Sequence, residues 1–283
     1  MPQKPPSFDL VVATVGRVDE LGRFLDSVAQ QRYPGVRVLV IDQNRDARLD
    51  SVLSNRGIET LHLLSEPGLS RARNAALGHV TADVIAFPDD DCLYPTGLLS
   101  RVADHFSSDS RLDGLTGRAE DASLRSTASW KTDPARLTDD NLWNRAISIT
   151  VFLKRPLVER VGAFDEQLGL GSATPWSSGE EIDYLIRALR CGARIEYDPS
   201  LVVQHDVRVD DSRIGFRDGA SVGYLLRKHG YPTRTVARML VRPLGGIAAS
   251  FARRDRARAS YQAATLRGRI RGYLAARSSK ISR

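Results

Sequence analysis

Residues 84–92 read VIAFPDDDC, an apolar run that leads directly into three adjacent carboxylates. The apolar part is typical of a buried strand, and the carboxylates follow where that strand ends. Because alternate residues of an extended backbone point the same way, Asp89 and Asp91 can face one ligand together. Hard carboxylate oxygens suit Mg²⁺ or Mn²⁺, which commonly link protein carboxylates to substrate phosphates. The alternative is a solvated acidic turn, but the position directly after the strand favours a metal site.

The segments on both sides of this stretch alternate between strand-like and helix-like patterns. The predicted strands are Phe8–Thr14, Val36–Ile41, Ile58–Leu64, Val84–Phe87, Leu112–Gly117, Ala146–Leu153 and Ile195–Val203. The predicted helices are Glu20–Gln31, Ser70–Val80, Leu98–Phe106 and a segment around Ile182–Leu189. This alternation predicts an α/β fold with a mainly parallel sheet covered by helices on both faces. Ligands of such sheets bind beyond the carboxyl ends of the strands.

The charge of the chain is divided unevenly. Residues 213–283 contain 17 Lys or Arg and 2 Asp or Glu, a net charge of +15, whereas residues 1–212 contain 24 basic and 32 acidic residues, a net charge of −8. We therefore predict a catalytic domain over 1–212 and a basic helical extension over 213–283. Arginine clusters among apolar residues predict that the extension lies on an anionic membrane surface. The alternatives are a helical tail packed on the catalytic domain and a dimer contact.

Other features of the composition limit the location and the partners. No apolar stretch is long enough to cross a bilayer, and the polar start of the chain has no apolar signal region. Cys92 and Cys191 are far apart and form no metal-binding pattern, which is typical of a reducing compartment. We expect a cytoplasmic protein, peripheral on the inner face of the membrane. Nucleic-acid binding is not expected, because the basic extension lacks interleaved aromatic residues.

Two further segments have the chemistry of a nucleotide site. Asp42 ends the apolar run VRVLVI, where a carboxylate can accept hydrogen bonds from a base or a ribose. Its alternative role is to form a turn or cap a helix. Residues 68–74 (GLSRARN) resemble the start of a helix with arginines that can grip a diphosphate. The alternative is a solvated basic helical turn.

Two segments later in the chain have the chemistry of a base and of a metal ligand. The long loop Gly162–Gly179 leads into Glu180 and Glu181, a position well suited to deprotonating an incoming hydroxyl. The spacings from Ser177 and Ser178 to these glutamates also fit a purely structural capping box. His205 follows an apolar strand and is either a metal ligand or an ordinary residue at a strand end.

Taken in order, these motifs resemble glycosyltransferase family 2, whose members have a GT-A fold. The matching segments are VVATVGR, VLVIDQN, GLSRARNAAL, FPDDDC as a version of the DxD motif, SGEEIDYLIRAL and VVQHD, which together span about Phe8 to Asp206. The chain departs from the family pattern in two places. Glu181 stands where the family usually has its base Asp, and Gln43-Asn44 follow Asp42 where many members have Gly-Ser.

The resemblance implies a role for each matching residue. Those expected around the donor are Thr14, Arg17, Asp42, Arg73, Asn74, Asp89 and Asp90. Those expected to bind Mn²⁺ or Mg²⁺ are Asp91, His205 and Asp89. Glu181 would be the catalytic base with Glu180 as its supporter, and Trp176 and Asp183 would meet the acceptor. Trp176 could stack on a sugar ring or simply pack.

The implied reaction is transfer of a sugar, with inversion, from a nucleoside diphosphate sugar to an acceptor hydroxyl. The expected acceptor is a glycan or a lipid-linked glycan in cell-surface polysaccharide synthesis. A nucleotidyltransferase is the first alternative, although no glycine-rich phosphate-binding signature lies near the first strand. The second is a non-catalytic glycan-binding or membrane-surface protein, against which the intact Asp89, Asp91 and Glu181 argue.

Overall fold

The computed structural model describes residues 4–54, 56–123, 130–206 and 211–276. The chain divides into two compact units. One, the sheet unit, comprises Met1–Pro67, Arg71–Phe164 and Tyr184–Val207. The other, the helical unit, comprises Gly68–Ser70, Asp165–Asp183 and Arg208–Arg283. Two short segments from the predicted catalytic region thus belong to the same unit as the C-terminal helices.

The elements follow the predicted alternation. The strands are β1 (Phe8–Thr14), β2 (Val36–Asp42), β3 (Glu59–Leu64), β4 (Val84–Ala86), β5 (Cys92–Leu93), β6 (Gly114–Glu120), β7 (Ala135–Arg136), β8 (Phe152–Lys154) and β9 (Ile195–His205). The helices are α1 (Val18–Ala29), α2 (Asp50–Leu53), α3 (Leu69–Leu77), α4 (Leu98–Ser108), α5 (Arg155–Val161), α6 (Glu180–Arg190), α7 (Ser212–Lys228), α8 (Thr233–Ala252) and α9 (Arg256–Ala275). As predicted, residues 162–179 lie in neither a helix nor a strand.

The strands form one mixed sheet in the order β3-β2-β1-β4-β8-β6-β9-β5, and β7 pairs with β9. The pairs β1–β2, β2–β3, β1–β4 and β6–β9 are parallel. Among the described residues, each antiparallel pair includes one of the short strands β5, β7 and β8. The mainly parallel character therefore holds for the long ladders, whereas β8 is inserted antiparallel between β4 and β6.

The core of the sheet unit forms where the apolar runs of the sequence meet. Phe8, Leu10 and Val12 of β1 pack in one buried cluster with Phe24 and Leu25 of α1. Burial of side chains of this size stabilises the fold by about 1.5–3 kcal/mol each. The central strands are covered on both faces, and for this reason their sequences are uninterrupted apolar runs.

The strand predicted over Ala146–Leu153 is wrong for most of its length. Ser148–Thr150 form a 3₁₀ turn, and only Phe152–Lys154 pair in the sheet. The hydroxyl of Thr150 donates to the carbonyl of Ile147 at 3.0 Å and lies 3.2 Å from that of Gly117. This local hydrogen bonding competes with strand formation, as is common for threonine.

In the helical unit, α7 and α9 run parallel with their backbones in contact. A Cβ at Gly215 would lie 2.7 Å from the Tyr261 carbonyl oxygen, and one at Gly219 would overlap that of Thr265. Only glycine permits so close an approach. Pro243 lies inside α8. Among the described residues, no helix is both long enough and apolar enough to traverse a bilayer.

Candidate active site

The carboxyl ends of three neighbouring strands bring the predicted polar residues together. Thr14 is paired with Asp42 in the β1–β2 register, and an isolated bridge joins Ala13 to Asp89. Strands β2 and β3 follow on one side of β1, whereas β4 lies on its other side, so the strand order reverses at β1. Such a switch point opens a crevice at the carboxyl ends of the strands.

Asp89, Asp91 and His205 form a cluster in which one ligand atom from each lies within 4.8 Å of the others. The antiparallel pairing of Cys92 with His205 sets the His205 side chain beside Asp91. Nε2 of His205 lies 3.3 Å from Oδ1 of Asp91. Within the described ranges, this buried Oδ1 accepts no hydrogen bond of good geometry.

The hydrogen bonding of His205 leaves its Nε2 directed at Asp91. Its Nδ1 lies 2.9 Å from the carbonyl oxygen of Asp206. Since a carbonyl can only accept, Nδ1 carries the hydrogen and Nε2 faces Asp91. Nε2 therefore meets Asp91 either as an N–H that donates to the carboxylate or as a lone pair that shares a cation with it. Two carboxylates and an imidazole are a suitable donor set for Mn²⁺ or Mg²⁺.

Arg17 adds a positive charge to the acidic turn. Its guanidinium donates to Asp90 at 2.9 Å and to Asp91. Burial raises the pKa of Asp90 to about 6, despite the opposing effect of Arg17. Burial also acts to raise the pKa of Asp91, but His205 and Arg17 outweigh it and hold that pKa at about 2. Asp91 is therefore ionised at neutral pH, as a metal ligand must be.

Asp42 is buried and held by Asn44 and His62, neither of which was predicted to have a role in the site. Its Oδ1 accepts from the backbone and side-chain nitrogens of Asn44 at 2.8 and 2.7 Å, and its Oδ2 lies 3.0 Å from Nε2 of His62. Asn44 also accepts from the Gly16 backbone N–H at 2.7 Å, which links the loops after β1 and β2. His62 lies in β3, whose weak strand pattern gave little indication that this residue would reach Asp42.

Arg73 and Asn74 are engaged by the protein itself. Arg73 is buried, lies 3.3 Å from Oδ1 of Asp89, and has its guanidinium 5.5 Å from the ring centre of Phe164. The Asn74 amide exchanges hydrogen bonds of 3.0 and 2.7 Å with the backbone of Phe164. Arg73 therefore helps to hold the Asp89 carboxylate in place. Direct contact of Arg73 or Asn74 with the donor stays a prediction.

The start of α6 shows which residue stands at the N-cap of this helix. The helix begins at Glu180, and the Gly179 carbonyl accepts the first helical hydrogen bond, from Asp183 at 2.9 Å. Gly179 therefore occupies the N-cap position, one residue after Ser178. Glu180 is buried, while Glu181 is half-buried. Of the two, Glu181 is the more accessible to a substrate.

The side chain of Asp183 is not placed as predicted. It was expected to meet the acceptor, but it is fully buried. It accepts hydrogen bonds from Lys228 at 2.5 Å and pairs with Nε2 of His229 at 2.8 Å. Lys228 also bonds Asp165 at 2.6 Å. Asp183 thus fastens α6 to the end of α7 within the helical unit.

Trp176 is half-buried and stacks on Tyr224 of α7. Their ring centres are 4.7 Å apart and the planes meet at 19°. Its backbone carbonyl accepts from Gly169 at 3.0 Å, which ties the loop to itself. The structure thus supports the packing role, and an acceptor contact stays a prediction.

With this geometry established, the chain can be compared with known proteins. The family model described as "Glycosyl transferase family 2" matches residues 9–156, about half of the chain. A pre-mycofactocin glycosyltransferase of Mycobacterium tuberculosis is 28% identical over 187 residues. The match covers 62% of this chain and 38% of that relative.

Solved structures show the same fold. The mannosyltransferase PcManGT from Pyrobaculum calidifontis, in complex with GDP-Man and Mn²⁺, has a TM-score of 0.66 and 16% identity, over 96% of this chain and 88% of that one. S. aureus TarS 1–349 has a TM-score of 0.60 and 15% identity, over 92% of this chain and 90% of that one. The mixed sheet flanked by helices is therefore a GT-A fold, and the chain belongs to glycosyl transferase family 2.

Proposed function

We propose that this chain moves a sugar from a nucleoside diphosphate sugar to an acceptor hydroxyl, with inversion at the anomeric carbon. The observation that carries this proposal is the grouping of Asp89, Asp91 and His205 at the switch point of the sheet. Membership of the family supports the reaction class. Structural neighbours that hold GDP-Man with Mn²⁺ or UDP-GlcNAc support a nucleotide sugar as the donor.

The chemical problem is the negative charge that develops on the departing diphosphate. Mn²⁺ or Mg²⁺, held by Asp91 and His205 with Asp89, would supply Lewis acidity there. Arg17 lies at the same end of the sheet and contributes a fixed positive charge beside these ligands. Thr14 and Asp42 flank the crevice where we place the nucleoside.

The acceptor hydroxyl needs a base to remove its proton. We assign this role to Glu181, because it is the partly accessible carboxylate at the start of α6. Glu180 is buried one residue before it and acts as its supporter. A single base with in-line attack produces inversion. The loop over Gly162–Gly179 with Trp176 would exclude water around the acceptor.

The acceptor in this proposal is a glycan or a lipid-linked glycan of cell-surface polysaccharide synthesis. The net charge of +15 over residues 213–283 supports a peripheral place on the inner, anionic face of the membrane. Such a location would bring the enzyme to a lipid-linked substrate.

A donor screen tests the reaction. Purified protein is incubated with UDP-, GDP- and dTDP-sugars with Mn²⁺ or Mg²⁺, and release of the nucleoside diphosphate is measured with and without EDTA. We expect release from one donor class, loss of release with EDTA, and loss in Asp91→Asn. The control Asp104→Asn, an exposed carboxylate of α4, should keep full activity. Full activity in EDTA would refute the metal role, and nucleotide-sugar synthesis instead of transfer would favour a nucleotidyltransferase.

A further inference from the structure

Helix α8 has apolar side chains on two faces, and only one face packs inside the helical unit. Met239 lies on the buried face, where Arg269 of α9 donates a hydrogen bond to its carbonyl. On the opposite side Val241, Leu244 and Phe251 are 54%, 50% and 68% exposed. A helix that is apolar on most of its circumference normally covers both faces.

The exposed apolar residues form a continuous stripe. Val241, Leu244, Ala248 and Phe251 are all exposed and follow one another at steps of three, four and three residues. This spacing keeps them on one side of the helix over about 15 Å. Contiguous exposed apolar surface of this kind marks an interaction site.

The charge beside the stripe identifies the class of partner. Arg238 and Arg242 are exposed one turn apart on α8, and residues 253–254 add two exposed arginines at its end. Residues 233–276 contain ten arginines and one acidic residue, Asp255. That carboxylate is used to cap the first turn of α9. The segment that carries the stripe is therefore strongly cationic.

We propose that this face of α8 docks on an anionic lipid bilayer, with the stripe at the acyl-chain boundary and the arginines on lipid phosphates. An apolar face bordered by arginines is the composition of a helix that lies in the membrane interface. A symmetric contact between two copies through this face would bring their arginines together, which opposes dimerisation. The docking deepens the proposed function by giving it a lipid surface, but the binding itself needs no catalysis.

Vesicle binding tests both parts of the surface. The full chain is mixed with phosphatidylglycerol/phosphatidylcholine vesicles or with phosphatidylcholine vesicles, and bound protein is measured by sedimentation at low and high salt. Leu244→Gln with Phe251→Gln should weaken binding to the anionic vesicles on the order of a hundredfold, about tenfold for each residue. Arg238→Gln with Arg242→Gln should weaken it mainly at low salt.

Matched controls separate this surface from general effects of charge or apolarity. Leu64→Gln removes a leucine of β3 that is 74% exposed, and Arg45→Gln removes an arginine that is 87% exposed. Both variants should bind vesicles like the parent. If the double Leu244 and Phe251 variant binds as tightly as the Leu64→Gln control, the stripe does not insert and the proposal fails.

An environment-sensitive label reports insertion directly. Cys191 is exposed and Cys92 is buried, so Phe251→Cys is labelled in a Cys191→Ser background. We expect a blue shift and quenching by brominated lipid with anionic vesicles, and neither effect for a label at Leu64→Cys. A blue shift without vesicles that grows with protein concentration would show that a second copy covers the stripe, and would overturn the proposal.

Donor hydrolysis in vesicle-free solution keeps the two proposals apart. The stripe variant should hydrolyse donor like the parent, whereas Asp91→Asn should lose hydrolysis and still bind vesicles. Vesicle binding without any nucleotide-sugar activity would refute the proposed function and leave the docking surface in place.

Discussion

Two glycine-to-alanine substitutions of the same chemical type are expected to change stability in opposite directions. Gly223 and Gly245 lie inside helices of the helical unit. A Cβ at Gly245 meets no atom within 4 Å. Alanine there gains helix propensity and reduces the entropy of the unfolded chain, so Gly245→Ala should stabilise the protein by about 0.5–1 kcal/mol.

At Gly223 the same gain is outweighed by a clash. A Cβ there would overlap the carbonyl oxygen of Arg269 and lie 2.7 Å from the backbone nitrogen of Tyr273. Heavy-atom contacts are favourable only beyond about 3.5 Å, so α7 and α9 must separate by roughly 1.5 Å. Overpacking of this kind costs about 1–3 kcal/mol, and the parallel seam transmits it to the neighbouring glycines. Gly223→Ala should therefore lower the free energy of unfolding by up to about 2 kcal/mol.

Urea unfolding followed by far-ultraviolet circular dichroism measures both free energies of unfolding. The two substitutions add the same methyl group, so any difference between them reports packing and not composition. If Gly223→Ala is as stable as Gly245→Ala, α7 and α9 are not in backbone contact.

Two further predictions concern the candidate active site, and one concerns the buried ion network around Asp183. Glu181→Gln should lower kcat by at least about a hundredfold with little change in donor KM, because the base is lost; a larger kcat loss in Glu180→Gln would exchange their roles. Lys228→Met leaves a buried carboxylate with one partner fewer and should cost about 3–5 kcal/mol in unfolding free energy; an unchanged urea midpoint would contradict the buried network. Because the folded-state pKa of Asp90 is raised to about 6, its protonated form stabilises the fold below about pH 4, and that contribution is lost as pH rises to about 6. Asp90→Asn should remove this dependence in metal-free protein, and parallel pH–stability curves for variant and parent would refute it.

Several features of the fold could be predicted from the sequence because they depend on local pattern. Uninterrupted apolar runs such as Val36–Ile41 predict buried strands, and Leu21 with Phe24, Leu25 and Val28 predicts the buried face of α1. The carboxyl ends of parallel strands share one edge, so the placement of Asp42 and Asp89 at the same edge of the sheet could be predicted.

Other features depend on contacts between distant residues. Strand β8 has only three paired residues, and its antiparallel insertion leaves no periodic signal in so short a segment. Asp183 looks like an exposed acidic residue of a first helical turn. Only the arrival of Lys228 and His229 from α7 turns it into a buried ion network.

The division between the two kinds of information is clearest at the metal cluster. The sequence by itself determined which residue types stand at the strand ends, since a carboxylate triplet after a buried strand and a histidine after another are local patterns. The family resemblance groups His205 with Asp91, but only the tertiary structure decided how they meet, through the pairing of Cys92 with His205 across more than a hundred residues. The physical reason is that strand pairing over long loops is selected by the packing of the whole sheet and not by any local preference.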